Sequence, residues 1–211
     1  MQTAPIDIFS HIGGRNLNLN NYALNDAQTK PLSFVLPFLS NLKELKVNDC
    51  HLSDTSAGLL AGAVLGNNAT KVIHMDGIDV GQEFVSSLRE AIDDDPSCLE
   101  ELSLKNCKMQ KTLVELLQIL RDCTHLKYLK LASNTFTIQA AQEIALLLVQ
   151  TSTLEYLNLS FCQIREKLAL LILEGLMRNT TLTFLNLSMN SFKNKTCLLA
   201  SMLGRVLSGH P

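Results

Sequence analysis

The sequence predicts an α/β solenoid on three observations. One apolar pattern returns every 28 residues or so, its register holds across seven copies, and each copy changes hydrophobic period midway. The clearest copies read Leu99-x-x-Leu102-x-Leu104-x-x-Cys107-x-Met109, Leu126-x-x-Leu129-x-Leu131-x-x-Asn134-x-Phe136, Leu154-x-x-Leu157-x-Leu159-x-x-Cys162-x-Ile164 and Leu182-x-x-Leu185-x-Leu187-x-x-Asn190-x-Phe192. The same offsets run back through Leu42-x-x-Leu45-x-Val47-x-x-Cys50-x-Leu52, a degenerate Thr70-x-x-Ile73-x-Met75-x-x-Ile78-x-Val80, and a first copy from Gly14 through Leu17, Leu19, Tyr22 and Leu24. Copies therefore start near 14, 42, 70, 99, 126, 154 and 182, with steps of 28, 28, 29, 27, 28 and 28. Chance clusters would not hold that step, and a period in this range marks stacked units that bury each other's faces.

Each unit reads as strand, turn, helix and return. Alternation such as Leu102-x-Leu104 suits a short strand with one face buried. The spacing then turns helical: Leu113, Leu116, Leu117 and Leu120 form one stripe, as do Ile144, Leu147 and Leu148, and Leu170, Leu173, Leu176 and Met177. Asp54 stands ahead of a helix over Ser56 to Leu65, which Gly66-Asn67-Asn68 closes as a cluster tolerant of the left-handed conformation. Asp93-Asp94-Asp95-Pro96 ends the next helix as a solvated terminus, because adjacent aspartates lack the alternating spacing of a calcium loop. The Thr70 copy, without Leu at its first position and with Ile78 where others carry Asn or Cys, predicts a local irregularity in the sheet.

No linker-like stretch interrupts the array, so residues 14–211 read as one domain, preceded by a cap segment over 1–13 that carries Ile6, Ile8, Phe9 and Ile12. A net charge of -2 and a pI near 6.2 give no basic face for nucleic acid. No apolar run reaches the ~20 residues of a membrane span; the longest candidate, Ile144 to Val149, reads as a buried helix face. The N-terminus lacks the basic start and apolar stretch of a signal peptide. The six cysteines fit a reducing, cytoplasmic setting. Cys50, Cys107 and Cys162 recur two repeats apart, roughly 9–10 Å at strand spacing, beyond disulfide reach. In that slot cysteine acts as a small hydrophobe. Cys98, Cys123 and Cys197 follow no metal spacing. The sequons at Asn158 and Asn186 fall inside strands and are by-products of the repeat. The chain stops at Ser208-Gly-His-Pro211, where an eighth strand would begin, with no polar capping unit. A longer solenoid, a last helix acting as the cap, or a cover over that end would each account for this. An uncapped edge after Leu185 and Leu187 leaves a route to self-association.

The 28-residue step, a helix in every unit, and the Cys107, Asn134, Cys162, Asn190 alternation resemble the ribonuclease-inhibitor-like class of leucine-rich repeats, over about residues 14 to 211. The resemblance implies a horseshoe with a parallel β-sheet on its concave face and α-helices on its convex face. Members of this class include inhibitors, innate-immune sensor domains, GTPase-activating proteins, actin-regulator scaffolds and bacterial effectors. Fold alone does not choose among these.

Side chains alternate along a strand, so the positions between the core leucines form three columns on the outer sheet face. The first reads Asn16, Glu44, Val72, Glu101, Tyr128, Tyr156 and Phe184. The middle reads Asn18, Lys46, His74, Ser103, Lys130, Asn158 and Asn186, and the third Asn20, Asn48, Asp76, Lys105, Ala132, Ser160 and Ser188. Tyr128, Tyr156 and Phe184 predict a ring ladder on three consecutive strands, extended by Phe161 and Met189 and flanked by Lys130, Asn158 and Asn186. Aromatic anchors among polar residues are the stuff of binding hot spots, although cross-strand rings also stabilise sheets, and a flanking segment could cover them. The columns carry Lys46, Lys105 and Lys130 against Glu44, Asp76 and Glu101, a balance that fits neither RNA nor an acidic partner. His74 predicts a small polar cluster with Asp76 and Lys46.

No nucleophile–base, zinc or phosphate-loop motif occurs, and the five histidines show no ligand spacing. The expected function is therefore a non-enzymatic, intracellular protein-binding module without catalytic residues, metal or cofactor. The alternatives are a GTPase-activating or other switch regulator using rim residues such as Asn20, Asn48 and Asp49, or a bacterial effector that uses the same surface on a protein of the host cytosol.

Overall fold

The computed structural model describes residues 14–94, 98–109, 111–192, 201 and 204–205. The expected cap segment, Asp95 and Pro96, Cys197 and the tail over Ser208 to Pro211 lie outside the described residues. Seven three-residue strands form one parallel sheet in chain order: β1 (Asn16–Asn18), β2 (Glu44–Lys46), β3 (Val72–His74), β4 (Glu101–Ser103), β5 (Tyr128–Lys130), β6 (Tyr156–Asn158) and β7 (Phe184–Asn186). Between them run α1 (Asp26–Val35), α2 (Asp54–Leu65), α3 (Gln82–Asp94), α4 (Lys111–Leu120), α5 (Ile138–Gln150) and α6 (Glu166–Leu176), with a 3-10 turn over Leu36–Phe38. The chain is thus an α/β solenoid: each helix packs on the next, each strand on the next, and one continuous core lies between the two layers.

The register reproduces the repeat. Leu17, Leu45, Ile73, Leu102, Leu129, Leu157 and Leu185 stand opposite one another, and all but Leu185 are buried. The expected irregularity at the Thr70 copy does not occur, since β3 pairs in step on both sides. Thr70 lacks leucine's bulk, but its buried hydroxyl donates to the Leu42 carbonyl of the preceding repeat, and Ile78 fills its slot from the apolar side. Thr153 and Thr181 make the equivalent bonds to Leu126 and Leu154.

The slot shared by Cys and Asn is more than a hydrophobic corner. Cys50, Cys107 and Cys162 are buried, yet each thiol donates to a backbone carbonyl of the preceding repeat, at Leu19, Met75 and Leu131. Asn134 and Asn190 donate to Leu104 and Leu159 in the same way and also accept the backbone N–H groups of Cys107 and Cys162. Side chains therefore stitch strand to strand just where the short ladder stops, satisfying backbone groups that burial would otherwise leave unpaired.

Helix starts are also shared between repeats. Helix α2 begins at Asp54, earlier than the sequence pattern suggests, because Ser53 is its cap and accepts the Ser56 N–H. Asp54 is thereby released to accept from Gly81, Glu83 and Phe84 at the start of α3. At the other end Gly66 is right-handed and Asn68 takes the positive φ. Met177 is not part of the buried stripe of α6: Ile172, Leu173 and Leu176 are, while Met177 lies beyond the last helical residue and is exposed. Ile144, Leu147 and Leu148 of the expected apolar run are buried, but Leu146 and Val149 face solvent. No helix among the described residues is long and apolar enough to cross a membrane.

Candidate functional site

The outer face of the sheet divides into two halves. In the first, every column charge has an opposite partner. Lys46 pairs with Glu44 at 2.6 Å, Lys105 with Asp76 at 2.9 Å, and Lys130 with Glu101. Nε2 of His74 lies 2.7 Å from the Glu101 carboxylate, which only accepts, so this nitrogen carries the proton. His74 thus joins Glu101 and Lys130 rather than the expected Asp76 and Lys46. The His74 hydrogen bond, with Lys130 behind it, outweighs desolvation and holds the Glu101 carboxyl at about 2. Asp76 is occupied by the Ser103 hydroxyl at 2.6 Å and the Lys105 N–H at 2.8 Å, which buries Ser103 despite its outward position. Asn20 and Asn48 accept the N–H groups of Asn48 and Asp76 in turn. This half is a closed polar lattice.

The second half presents rings. Strand register places Tyr128, Tyr156 and Phe184 side by side. Tyr156 and Phe184 stack with centroids 4.6 Å apart and planes 1° from parallel, whereas Tyr128 and Tyr156 stand 6.1 Å apart and tilted by 42°. Tyr128 remains 37% and Phe184 48% exposed. Lys130 Nζ lies 5.9 Å from the Tyr156 centroid, within cation–π range, and ties the ladder to the Glu101 cluster. The carboxamide oxygens of Asn158 and Asn186 close their turns by accepting from the Ser160 and Ser188 N–H groups, which turns their NH2 groups toward another molecule as donors.

Phe161 and Met189 do not extend the stack. Each lies three residues beyond its strand, and no ring contact joins Phe161 to the ladder among the described residues. The reason is a turn that sequence periodicity does not reveal. At this position all seven repeats take positive φ: Asn21, Asp49, Gly77, Asn106, Ser133, Phe161 and Met189 lie between 54° and 71°. Five of these residues are of the small or polar kinds that favour turns, several of them tolerant of the left-handed region. Phe161 and Met189 are not, and both stand exposed, at 55% and 69%. The loops that carry them run together, through Phe161 N–H to the Ser188 carbonyl, Ser191 N–H to the Ile164 carbonyl and a parallel bridge between Arg165 and Ser191. A Phe161→Asn/Met189→Asn chain is expected to be more stable than the natural one by about 1 kcal/mol, read from urea midpoints. A loss of that size instead would mean that these side chains are held by packing.

Among the described residues no group of His, Cys, Asp or Glu is placed to hold a metal. Burial pushes the Cys107 thiol up to about 12 and the Cys162 thiol to about 11, so both favour the protonated form.

A family model described as leucine rich repeat matches residues 38–61, 122–145, 151–166 and 178–195. No curated protein matches the chain by sequence. Actin-binding site 2 of leiomodin-1 has a similar structure, with TM-score 0.52 and 20% identity over 64% of this chain and 77% of that one. The tropomodulin C-terminal domain of Caenorhabditis elegans is similar over 87% of this chain and 92% of its own, with TM-score 0.51 and 12% identity. At such identities the likeness is one of fold.

Proposed function

Because the chain belongs to the leucine-rich-repeat family, we propose that it is a protein-binding module that holds a partner on the concave face of its sheet, through Tyr128, Tyr156 and Phe184. The observation that carries this reading is the exposed, in-register ladder on a face whose column charges are already paired. A partner gains little from the satisfied lattice, so binding energy concentrates on the rings, where each hot-spot anchor contributes ~2 kcal/mol or more. Phe161 and Met189 form a second apolar contact at the rim, and the NH2 groups of Asn158 and Asn186 supply polar contacts between the two. Keeping bulky apolar side chains where a turn-forming polar residue is less strained is the mark of a site retained for contact.

The module works without catalysis and inside the cell. Cys50, Cys107 and Cys162 use their thiol hydrogens to bond backbone carbonyls, a role that oxidation would remove. A switch regulator is the weaker reading, because the carboxamide oxygens of Asn20 and Asn48 are engaged in the lattice. A bacterial effector would use the same ladder on a host protein. Actin is the first partner to try, since one domain of similar fold is an actin-binding site of leiomodin-1.

The test is quantitative affinity capture from cell lysate, with the natural chain beside a Tyr128→Ser/Tyr156→Ser/Phe184→Ser chain, and F-actin co-sedimentation in parallel. Proteins captured by the first and lost with the second identify the partner. Equal capture by both would move the site off the sheet face.

A further inference from the structure

Helix α5 is apolar on two sides. Ile144, Leu147 and Leu148 face the core, while Leu146 and Val149 face away from it, 42% and 41% exposed. Met177, in the turn that closes α6, is 42% exposed beside them. Together with Leu171 these side chains line a groove of about 530 Å3 between α5 and α6. Its floor is the contact of Gly175 with Ala145, where a side chain on Gly175 would strike backbone. Glu174, in the last turn of α6, and Arg178, in the turn that closes it, also line the groove, four residues apart and both exposed. Among the described residues neither has an ion-pair partner: the eight pairs that form use other groups, including Arg121 with Glu143 at 3.5 Å.

A carboxylate followed four residues later by a guanidinium is complementary to its own reverse. The C-terminal ends of two α6 helices, each with its closing turn, brought together antiparallel about a twofold axis set each Glu174 against the other's Arg178, with the Met177 side chains near the axis. The same approach buries Leu146 and Val149 of both copies, an apolar centre with a charged rim. We propose that the α5–α6 face is the interface of a homodimer, its occupant a second copy of this chain. Self-association then lies on the helix layer rather than at the sheet's C-terminal edge, and both ring ladders stay free. A dimer would present two partner sites at once, which raises avidity for a repetitive or filamentous partner without any new contact.

Sedimentation equilibrium of the full chain, from micromolar to several hundred micromolar, tests this with a charge-swap cycle. The natural chain is expected to dimerise. Glu174→Arg and Arg178→Glu, each placing like charges together twice by symmetry, are expected to weaken the dimer about tenfold or more. The double variant, which restores both pairs in reverse, is expected to return to the natural dissociation constant. Circular dichroism confirms that the variants remain folded, as exposure of both residues allows. A chain that stays monomeric throughout, single variants that associate as before, or a double variant as weak as the singles would each overturn the interface.

Discussion

Asn134→Ala is expected to lower the free energy of unfolding by about 2–4 kcal/mol, the summed cost of orphaning buried backbone groups. Asn134 is 2% exposed and sits between two repeats. Its oxygen accepts the Cys107 N–H at 3.0 Å, and its NH2 group donates to Leu104 at 2.8 Å and to Leu131 at 3.0 Å. Alanine removes all three bonds and leaves a cavity that no neighbouring polar group fills. Asn134→Cys is expected to cost less, because a thiol in this slot can still donate to the preceding repeat, as Cys107 does to Met75. Equilibrium urea unfolding reads both, and a cost below about 0.5 kcal/mol for alanine would show that the stitch is dispensable. The site is coupled to function by position. Asn134 fixes the turn after β5, the strand that carries Tyr128, and a solenoid transmits order only between neighbours.

Gly175→Val is expected to be the most damaging single change in the helix layer, at about 2–3 kcal/mol or more. A β-carbon there would lie 2.6 Å from both the Cα and the carbonyl oxygen of Ala145. Those are backbone atoms that cannot rotate away, so α6 must move off α5. Replacing glycine by valine inside a helix gains only about 0.3 kcal/mol in propensity, and the clash outweighs that gain. Gly66→Ala supplies the contrast. There the nearest atom is 3.4 Å away and φ is −64°, so alanine is expected to be neutral or mildly stabilising. Thermal unfolding of the two variants side by side reads the difference, and similar melting temperatures would contradict the close helix contact.

The repeat made most of the fold legible. Leu45, Leu102, Leu129 and Leu157 announce the sheet register because a buried face tolerates only a period of two, and the ring column follows from that register with no further information. What stayed hidden depends on contacts one repeat away. Glu101 was legible as a charge in the first column, but the choice by His74 of Glu101 over Asp76 depends on which strand each side chain leans toward. Asp54 reads as a cap for its own helix and serves the next one instead, because Ser53 stands in the nearer position. Phe161 and Met189 were legible as apolar residues near strand ends. The left-handed turn that separates them from the ladder is a backbone property, visible only when all seven equivalent positions are compared. Leu146 and Val149 passed for core because the run from Ile144 to Val149 is unbroken by a polar residue and so has no period to betray its outer side.

The reading of the ring ladder as a binding surface is tested most directly by one titration. The captured partner is titrated calorimetrically into the natural chain and into the Tyr128→Ser/Tyr156→Ser/Phe184→Ser chain, each verified as folded. Loss of two exposed ring contacts is expected to cost the fold only about 1–3 kcal/mol, whereas affinity is expected to fall by about a thousandfold. Affinity unchanged within a factor of about three, in a chain that has lost stability, would contradict the binding role and return Tyr128, Tyr156 and Phe184 to sheet packing alone.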